Sequence, residues 1–191
     1  MIAAALELVG ERGPNAVTLG DVGRRVGTSH AAVLYHFSSR RELLLAVLAE
    51  RDRQARTALD RCFAGGGLES LRRLADMGHT IQREPNFTRL ALVLQAESLS
   101  DDRVSRYFRA RNQFIRRGLA RTMRVGQERG EIRDDFDVDA RAAEVAAFMF
   151  GIAHQHFADP DGLDVVAVYA DFVRQLIDAI STDAVRPGTR P

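Results

Sequence analysis

Lysine and tryptophan are absent from this 191-residue chain, cysteine occurs once and proline only five times. The single cysteine, Cys62, excludes a disulfide framework and a multi-cysteine zinc site within one chain. No apolar run reaches the roughly 18 residues that a membrane span needs. No N-terminal segment shows the basic and apolar pattern of a signal peptide. We therefore expect a cytoplasmic protein that does not associate with a membrane.

The charged residues give little indication of the partner when they are only counted. All 27 basic residues are arginine, 26 residues are acidic, and the net charge is +1. Arginine without lysine fits either a GC-rich genome or the recognition of phosphate groups, and counting does not separate the two. Within residues 1–50, five arginines and five carboxylates cancel. A local basic group is present there, of the kind that DNA-binding surfaces use, and it consists of Arg24, Arg25, Arg40 and Arg41.

Apolar residues recur at three- and four-residue spacing and no segment alternates with period two, which predicts an all-α protein of about nine helices. We expect these helices over residues 2–11, 19–26, 29–37, 39–63, 68–83, 87–99, 102–129, 137–158 and 164–180. We expect Ser100 to cap the helix at 102 and Asp137 the helix at 137. Composition and breaks divide the chain into a segment over 1–50, a helical segment over 51–182 and a disordered tail over 183–191.

Residues 18–41, TLGDVGRRVGTSHAAVLYHFSSRR, contain two short helical patterns on either side of a glycine. Three apolar residues mark one face of the first helix: Leu19, Val22 and Val26. Thr18 is a suitable N-cap, Gly27 ends that helix, and Ser29 can cap the second. Gly23 lets the two helices cross closely. Residues 19–37 thus show the pattern of a helix-turn-helix: a helix, a short turn that contains glycine, and a second helix. This motif lays its second helix in the DNA major groove.

These residues resemble the DNA-binding domain of the TetR family of bacterial regulators. The matching residues are AALELVGERG over 4–13, Thr18, Val22, Val26-Gly27-Thr28, His36-Phe37 and Ser39-Arg40. The resemblance covers about the first fifty residues. It implies a DNA-binding domain over 1–50 and a helical ligand-binding and dimerisation domain over 51–182. It also implies a homodimeric repressor that binds double-stranded DNA at a palindromic operator and is released by a small-molecule ligand. Where the family often has an aromatic residue, two positions before the His-Phe pair, this chain has Leu34.

The candidate DNA-binding residues follow from the helix-turn-helix pattern and from the resemblance. They are Thr18, Thr28, Ser29, His30, Ala31, Tyr35, His36 and Arg40. Thr28 and Ser29 can donate hydrogen bonds to phosphate, and His30 and Tyr35 are the expected readers of base edges. The resemblance makes Arg40 the phosphate-clamping basic residue.

The C-terminal part resembles the BetI-like branch of that family through GIAHQHFADPDGLD, residues 151–164, and through Glu97 with Arg111. Arg111 lies in an apolar stripe and needs a partner, since an unpaired buried charge is costly. Either Glu97 pairs with it, or it binds the anionic group of a ligand. The candidate ligand-pocket residues are His79, Gln95, Glu97, Phe108, Arg111, Asn112, Phe148 and Met149.

The helix expected over 137–158 is apolar on all sides in its middle, and the helix over 164–180 has a strong apolar stripe. We expect these two helices to form a four-helix seam between two protomers; the alternative is that the first is the core of a monomer. The expected interface residues are Phe150, His154, Val168, Phe172 and Leu176.

No enzyme motif is present: the sequence has no nucleophile elbow, phosphate-binding loop or paired acids at a cleft. The side chains of His154 and His156 diverge on a helix because they are two residues apart, so we expect no metal site there. We also expect no cofactor. The hypothesis is therefore a dimeric, ligand-responsive transcriptional repressor. The alternative is a helical ligand-binding or scaffolding dimer that does not read DNA sequence.

Overall fold

The structure is a computed structural model that describes residues 1–183, except for the side chains of residues 57–59, 61 and 62. Cys62 and nearly all of the predicted disordered tail therefore lie outside the described residues. The described residues form the helices α1 Ile2–Arg12, α2 Leu19–Val26, α3 His30–His36, α4 Arg40–Ala64, α5 Gly67–Arg72, α6 Met77–Arg83, α7 Pro85–Glu97, α8 Asp102–Glu128, α9 Val138–Ala158 and α10 Val165–Ile180. Two 3₁₀ segments, Pro14–Ala16 and Arg73–Asp76, complete the fold. The predicted all-α class is confirmed.

Two compact units divide the chain by packing. The N-terminal unit comprises Met1–Thr57 and Glu84–Phe108, and the C-terminal unit comprises residues 58–83 and those from Arg109 onward. In the N-terminal unit, α7 and the start of α8 share one core with α1 to α4. This division by packing differs from the functional boundary expected near residue 50, which stays a prediction.

The predicted helix-turn-helix is present in the N-terminal unit. The Thr18 hydroxyl and the Asp21 carboxylate form a reciprocal capping box at the start of α2. Gly27 ends α2 with φ 70°, in the left-handed region that favours glycine. A Cβ added to Gly23 would lie 3.0 Å from the Thr28 carbonyl oxygen, so the close helix crossing requires a glycine there. Val26, expected on the apolar face, is exposed at the end of the helix.

The C-terminal unit packs α10 against α5 and α6. A Cβ on Gly78 of α6 would lie 2.9 Å from the Val166 Cα, so these two helices approach closely. The start of α9 is capped by Asp137, as expected, whose carboxylate accepts from two backbone amides. An isolated antiparallel bridge joins Ile132 to Ser181, and no strand forms within residues 1–183.

The continuous helix predicted over 68–83 is wrong: α5 and α6 are separated by the 3₁₀ segment Arg73–Asp76. Leu68, Leu71 and Leu74 are all buried and recur every three residues. A 3₁₀ segment keeps such a spacing on one face, whereas an α-helix rotates it away. Leu68 and Leu71 lie in α5 and Leu74 lies in the 3₁₀ segment, so the tighter winding begins where the third leucine must stay on the buried side.

Candidate functional site

The outer face of α3 is the clearest candidate for contact with DNA. This helix buries Val33 completely, while His30, Ala31 and Tyr35 are exposed, as predicted from the sequence. Tyr35 is 89% exposed and lies edge-on against His36, with 5.4 Å between ring centroids. Leu34, which the sequence analysis did not place on this face, is exposed too. The helix thus projects a mixed polar and apolar surface of the kind that a major groove accepts.

Two hydroxyl groups among the candidate DNA-binding residues, those of Thr18 and Ser29, form hydrogen bonds within the chain. Thr18 is exposed, but its hydroxyl both donates to and accepts from Asp21 in the capping box. The Ser29 hydroxyl accepts from the Ala32 amide at 3.1 Å and caps α3. Ser29 still has a hydroxyl proton to donate, and Thr28 is half-buried. Their roles toward DNA stay predictions.

Arg40 is held by backbone carbonyl groups in this structure. Its Nε donates to the Val17 carbonyl oxygen at 2.8 Å, and its Nη2 donates to the Pro14 carbonyl oxygen. The side chain is half-buried and ties the first turn of α4 to the segment between α1 and α2. The resemblance implied only a phosphate contact for Arg40, and a backbone partner 23 to 26 residues away leaves no signal in the sequence.

The basic group beside the helix-turn-helix is largely neutralised by carboxylates. Arg24 pairs with Asp21 on the same helix. Arg25 donates to Glu7 at 3.1 Å and to Glu11 at 2.8 Å, both on α1. The hydrogen bond from Arg25 holds the pKa of Glu11 below its usual range, and Glu11 in turn raises the pKa of Arg25. These carboxylates offset the positive charge that the two arginines would present to DNA phosphates.

Glu97, expected beside Arg111 or a ligand, pairs with an arginine of the N-terminal unit. Arg41 donates through Nε to the Glu97 carboxylate at 2.7 Å and through Nη1 to Asp101 at 3.0 Å. Arg111 belongs to the C-terminal unit and is half-buried. A Glu97–Arg111 pair therefore stays a prediction. Sequence reasoning missed Arg41 because it precedes Glu97 by 56 residues.

The predicted pocket residues fall into both units. The C-terminal unit holds His79, Arg111, Asn112, Phe148 and Met149, and the N-terminal unit holds Gln95, Glu97 and Phe108. His79 is exposed on α6, and Phe108 is buried in the core of the N-terminal unit. Among these candidates, Asn112 has the clearest feature expected of a ligand contact. Its Oδ1 is buried on α8, and none of the described residues donates a hydrogen bond to it.

An aromatic cluster in the C-terminal unit joins a predicted pocket residue to a predicted interface residue. The rings of Phe148 on α9 and Phe172 on α10 stack at 3.6 Å and 5°. Phe148 also meets the Tyr169 ring edge-on, and burial raises the pKa of Tyr169.

The residues expected at the dimer interface differ in their exposure. Phe150, Val168 and Phe172 are half-buried and His154 is exposed. Leu176, also expected there, is only 6% exposed because its own chain covers it, so it is a core residue instead.

Two kinds of feature are absent from the described part of the chain. Over residues 1–183, no helix combines the length and apolarity needed to cross a bilayer. Among the side chains described in that range, which leave out those of residues 57–59, 61 and 62, no three of His, Cys, Asp and Glu are grouped so as to hold a metal ion.

Two family models match the sequence. Residues 1–47 match the model of bacterial regulatory proteins of the tetR family. Residues 68–181, more than half of the chain, match the model of the BetI-type transcriptional repressor C-terminal region. No curated protein matches the chain significantly.

Solved structures with this fold cover nearly the whole chain. A transcriptional regulator from Saccharomonospora viridis in complex with choline is 25% identical, with a TM-score of 0.74 over 95% of both chains. A TetR transcription regulator from Haloarcula marismortui is 18% identical, with a TM-score of 0.79 over 95% of this chain and 96% of that one. The regulator FadR from Bacillus subtilis in complex with stearoyl-CoA is 17% identical, with a TM-score of 0.73 over 94% and 97%.

Three observations lead to one assignment. The helix-turn-helix, whose close crossing requires a glycine, exposes α3; the C-terminal region is helical; and each of these two regions matches a family model. The chain belongs to the TetR family of bacterial regulatory proteins and is a DNA-binding regulator of transcription with a BetI-type C-terminal region.

Proposed function

We propose that this protein is a homodimeric repressor that binds an inverted-repeat operator through α3 and leaves it when a small molecule binds the C-terminal unit. The observation that carries the proposal is the outer face of α3, where His30, Ala31 and Tyr35 are exposed while Val33 anchors the helix from behind. The C-terminal match to a BetI-type repressor supports repression over activation. A bacterial repressor acts in the cytoplasm, where the chromosome lies.

Dimerisation is supported by apolar side chains that the chain covers only partly. Phe150 on α9 and Val168 and Phe172 on α10 are half-buried. Exposed apolar area of this kind is often covered by a partner. A two-fold axis would place two copies of α3 about 34 Å apart, the repeat of the DNA helix, so that one dimer reads a palindrome.

The proposed effector is a small molecule with at least one hydrogen-bond donor. The buried Oδ1 of Asn112 accepts from none of the described residues, and such an acceptor is costly to leave unpaired. The Saccharomonospora viridis regulator binds choline, whose hydroxyl is a donor, so choline is a first probe for this chain. For a hundredfold loss of DNA affinity, the effector must favour the released state by about 2.7 kcal/mol.

The alternative function, a ligand-binding dimer that does not read DNA sequence, has one observation in its favour. Arg24 and Arg25 are paired with carboxylates, and Arg40 and Arg41 are held by carbonyl groups and by Glu97. An N-terminal unit with so few free cations gains little binding free energy from neutralising DNA phosphates. That electrostatic gain supplies most of the non-specific affinity for DNA.

Selection from a random duplex library separates the two functions. The repressor enriches an inverted repeat, and sedimentation of the purified complex gives two protomers per site. Adding choline or stearoyl-CoA to that complex then tests release. If no sequence is enriched at low and moderate salt, the result contradicts the repressor and supports the ligand-binding dimer that does not read DNA sequence.

A further inference from the structure

Leu34 is an exposed apolar residue on the helix that faces DNA. It is 40% exposed, whereas Val33 beside it is completely buried. Leu34 is absent from the core cluster of the N-terminal unit, to which its neighbours Val33 and Phe37 belong. Its side chain therefore adds little to the stability of the N-terminal unit, although it lies on the outer face of α3.

Helical geometry places Leu34 near the middle of that face. Successive residues of an α-helix are about 100° apart. Taking His30 as zero, Leu34 lies at about 40°, Ala31 at about 100° and Tyr35 at about 140°. All four side chains are exposed. Two apolar groups, Leu34 and Ala31, thus lie between two side chains that can form hydrogen bonds.

The chemistry of the major groove offers one apolar partner for such a centre. Leucine and alanine side chains neither donate nor accept hydrogen bonds, so pressing them against phosphate or a polar base edge would desolvate that group without compensation. The C5-methyl group of thymine is the apolar group that the major groove presents. Contact with this methyl removes apolar surface of both partners from water.

We propose that Leu34, together with Ala31, binds the 5-methyl group of a thymine at the centre of each operator half-site, between bases read by His30 and Tyr35. This inference rests on the proposed operator-binding function. It gives a base-selecting contact to the position where the family often has an aromatic residue.

Replacing thymine by deoxyuridine tests this directly, because it removes the methyl group and keeps the pairing. In the duplex enriched by the wild-type protein, each half-site thymine is replaced in turn and the Kd is measured. At one thymine per half-site we expect about fourfold weaker binding, and about fifteenfold when both half-sites are changed, from a transfer free energy of about 0.8 kcal/mol per methyl group.

Two leucine variants test whether Leu34 itself makes the contact with the thymine methyl group. Leu34→Ala should bind the thymine and deoxyuridine duplexes equally. Leu99→Ala removes the same atoms from a leucine that is 91% exposed between α7 and α8, and it should keep the wild-type sensitivity. Folding of both variants is checked by circular dichroism, and neither residue is in the core cluster.

Three results would overturn the inference. An enriched half-site without thymine would do so, as would deoxyuridine replacements that leave the wild-type Kd unchanged. Equal sensitivity of Leu34→Ala and the wild type would assign the methyl contact to another residue. In each case an enriched operator still supports the proposed function, whereas no enrichment at all overturns both.

Discussion

Arg41, in the first turn of α4, donates to the carboxylate of Glu97, the last residue of α7, at 2.7 Å. The same guanidinium reaches Asp101, which accepts the Val104 amide and thereby caps α8. Arg103 returns an ion pair to Glu42 on α4 at 2.6 Å. Three ion pairs thus join the end of α7 and the start of α8 to the first turn of α4, which follows α3.

Removing the Arg41 guanidinium should loosen the α7–α8 turn. In Arg41→Met, Asp101 loses its arginine partner, so we expect faster amide hydrogen exchange over residues 98–104 than in the wild type. Arg53→Met is the control, because Arg53 pairs only locally, with Glu50 on the same helix. Equal exchange of this turn in the two variants would show that the ion pairs of Arg41 do not hold it.

Glu42 should contribute stability that depends on pH. The Ser38 hydroxyl and amide, and then Arg103, hold the pKa of the Glu42 carboxyl below its usual range. Its contribution is therefore present above the unfolded-state pKa of about 4.3 and is lost as pH falls through the lower folded pKa. In urea unfolding, Glu42→Gln should be less stable than the wild type at pH 7, and the difference should shrink toward pH 3. The control is Glu128→Gln, on the exposed end of α8. A difference that is the same at both pH values contradicts this role.

Arg40 should stabilise the N-terminal unit through its carbonyl contacts. Arg40→Lys keeps the charge but lacks the planar fork that reaches two carbonyl oxygens, and Arg40→Met loses both. We expect both variants to lower the free energy of unfolding by about 1–3 kcal/mol in chemical denaturation. A different outcome, in which stability is kept and Arg40→Met binds every duplex equally weakly, would assign Arg40 to phosphate binding alone.

The crossing of α2 and α3 should tolerate no side chain at Gly23. Gly23→Ala places a Cβ 3.0 Å from the Thr28 carbonyl oxygen, and we expect it to destabilise the protein by about 1–3 kcal/mol. Gly20→Ala is the matched control on the same helix. Its Cβ would have no neighbour closer than 3.7 Å, so it should stabilise by up to about 1 kcal/mol through helix propensity. Thermal unfolding of the two variants should therefore shift in opposite directions; a shift of both in the same direction would refute the close crossing.

Tyr35 should read a base. Because it is 89% exposed, Tyr35→Ala should leave folding intact and relax discrimination at one base position by about 1–3 kcal/mol. The Kd is measured on the enriched operator and on its single-base variants. Loss of affinity by the same factor on every variant would mean that Tyr35 contacts the backbone instead.

The sequence predicted those features that depend on neighbours within one helical turn. Thr18 and Asp137 cap helices, and Gly27 ends α2 in the left-handed conformation, because side-chain and backbone rules act locally there. The predicted cap of α8 was one residue off: Asp101 accepts the amides, while Ser100 bonds back to Glu97.

The partners of the long charged side chains were beyond such reasoning. Arg40 bonds to Val17, and Glu97 bonds to Arg41, through contacts between segments 23 and 56 residues apart. Which arginine reaches which acceptor depends on how helices pack, and periodicity identifies only the face on which a residue lies. Ala31 was placed on the outer face of α3 from the sequence, but Leu34 was not, since a leucine inside a helical pattern is more often core than surface.

The most direct test of the account is fluorescence anisotropy with the duplex from the region upstream of the protein's own gene and a scrambled duplex of the same composition, at two salt concentrations. We predict tight binding of one dimer to the upstream duplex alone. The affinity should weaken with salt at a log–log slope of about −0.9 for each phosphate neutralised. Equally weak binding to both duplexes would contradict the account.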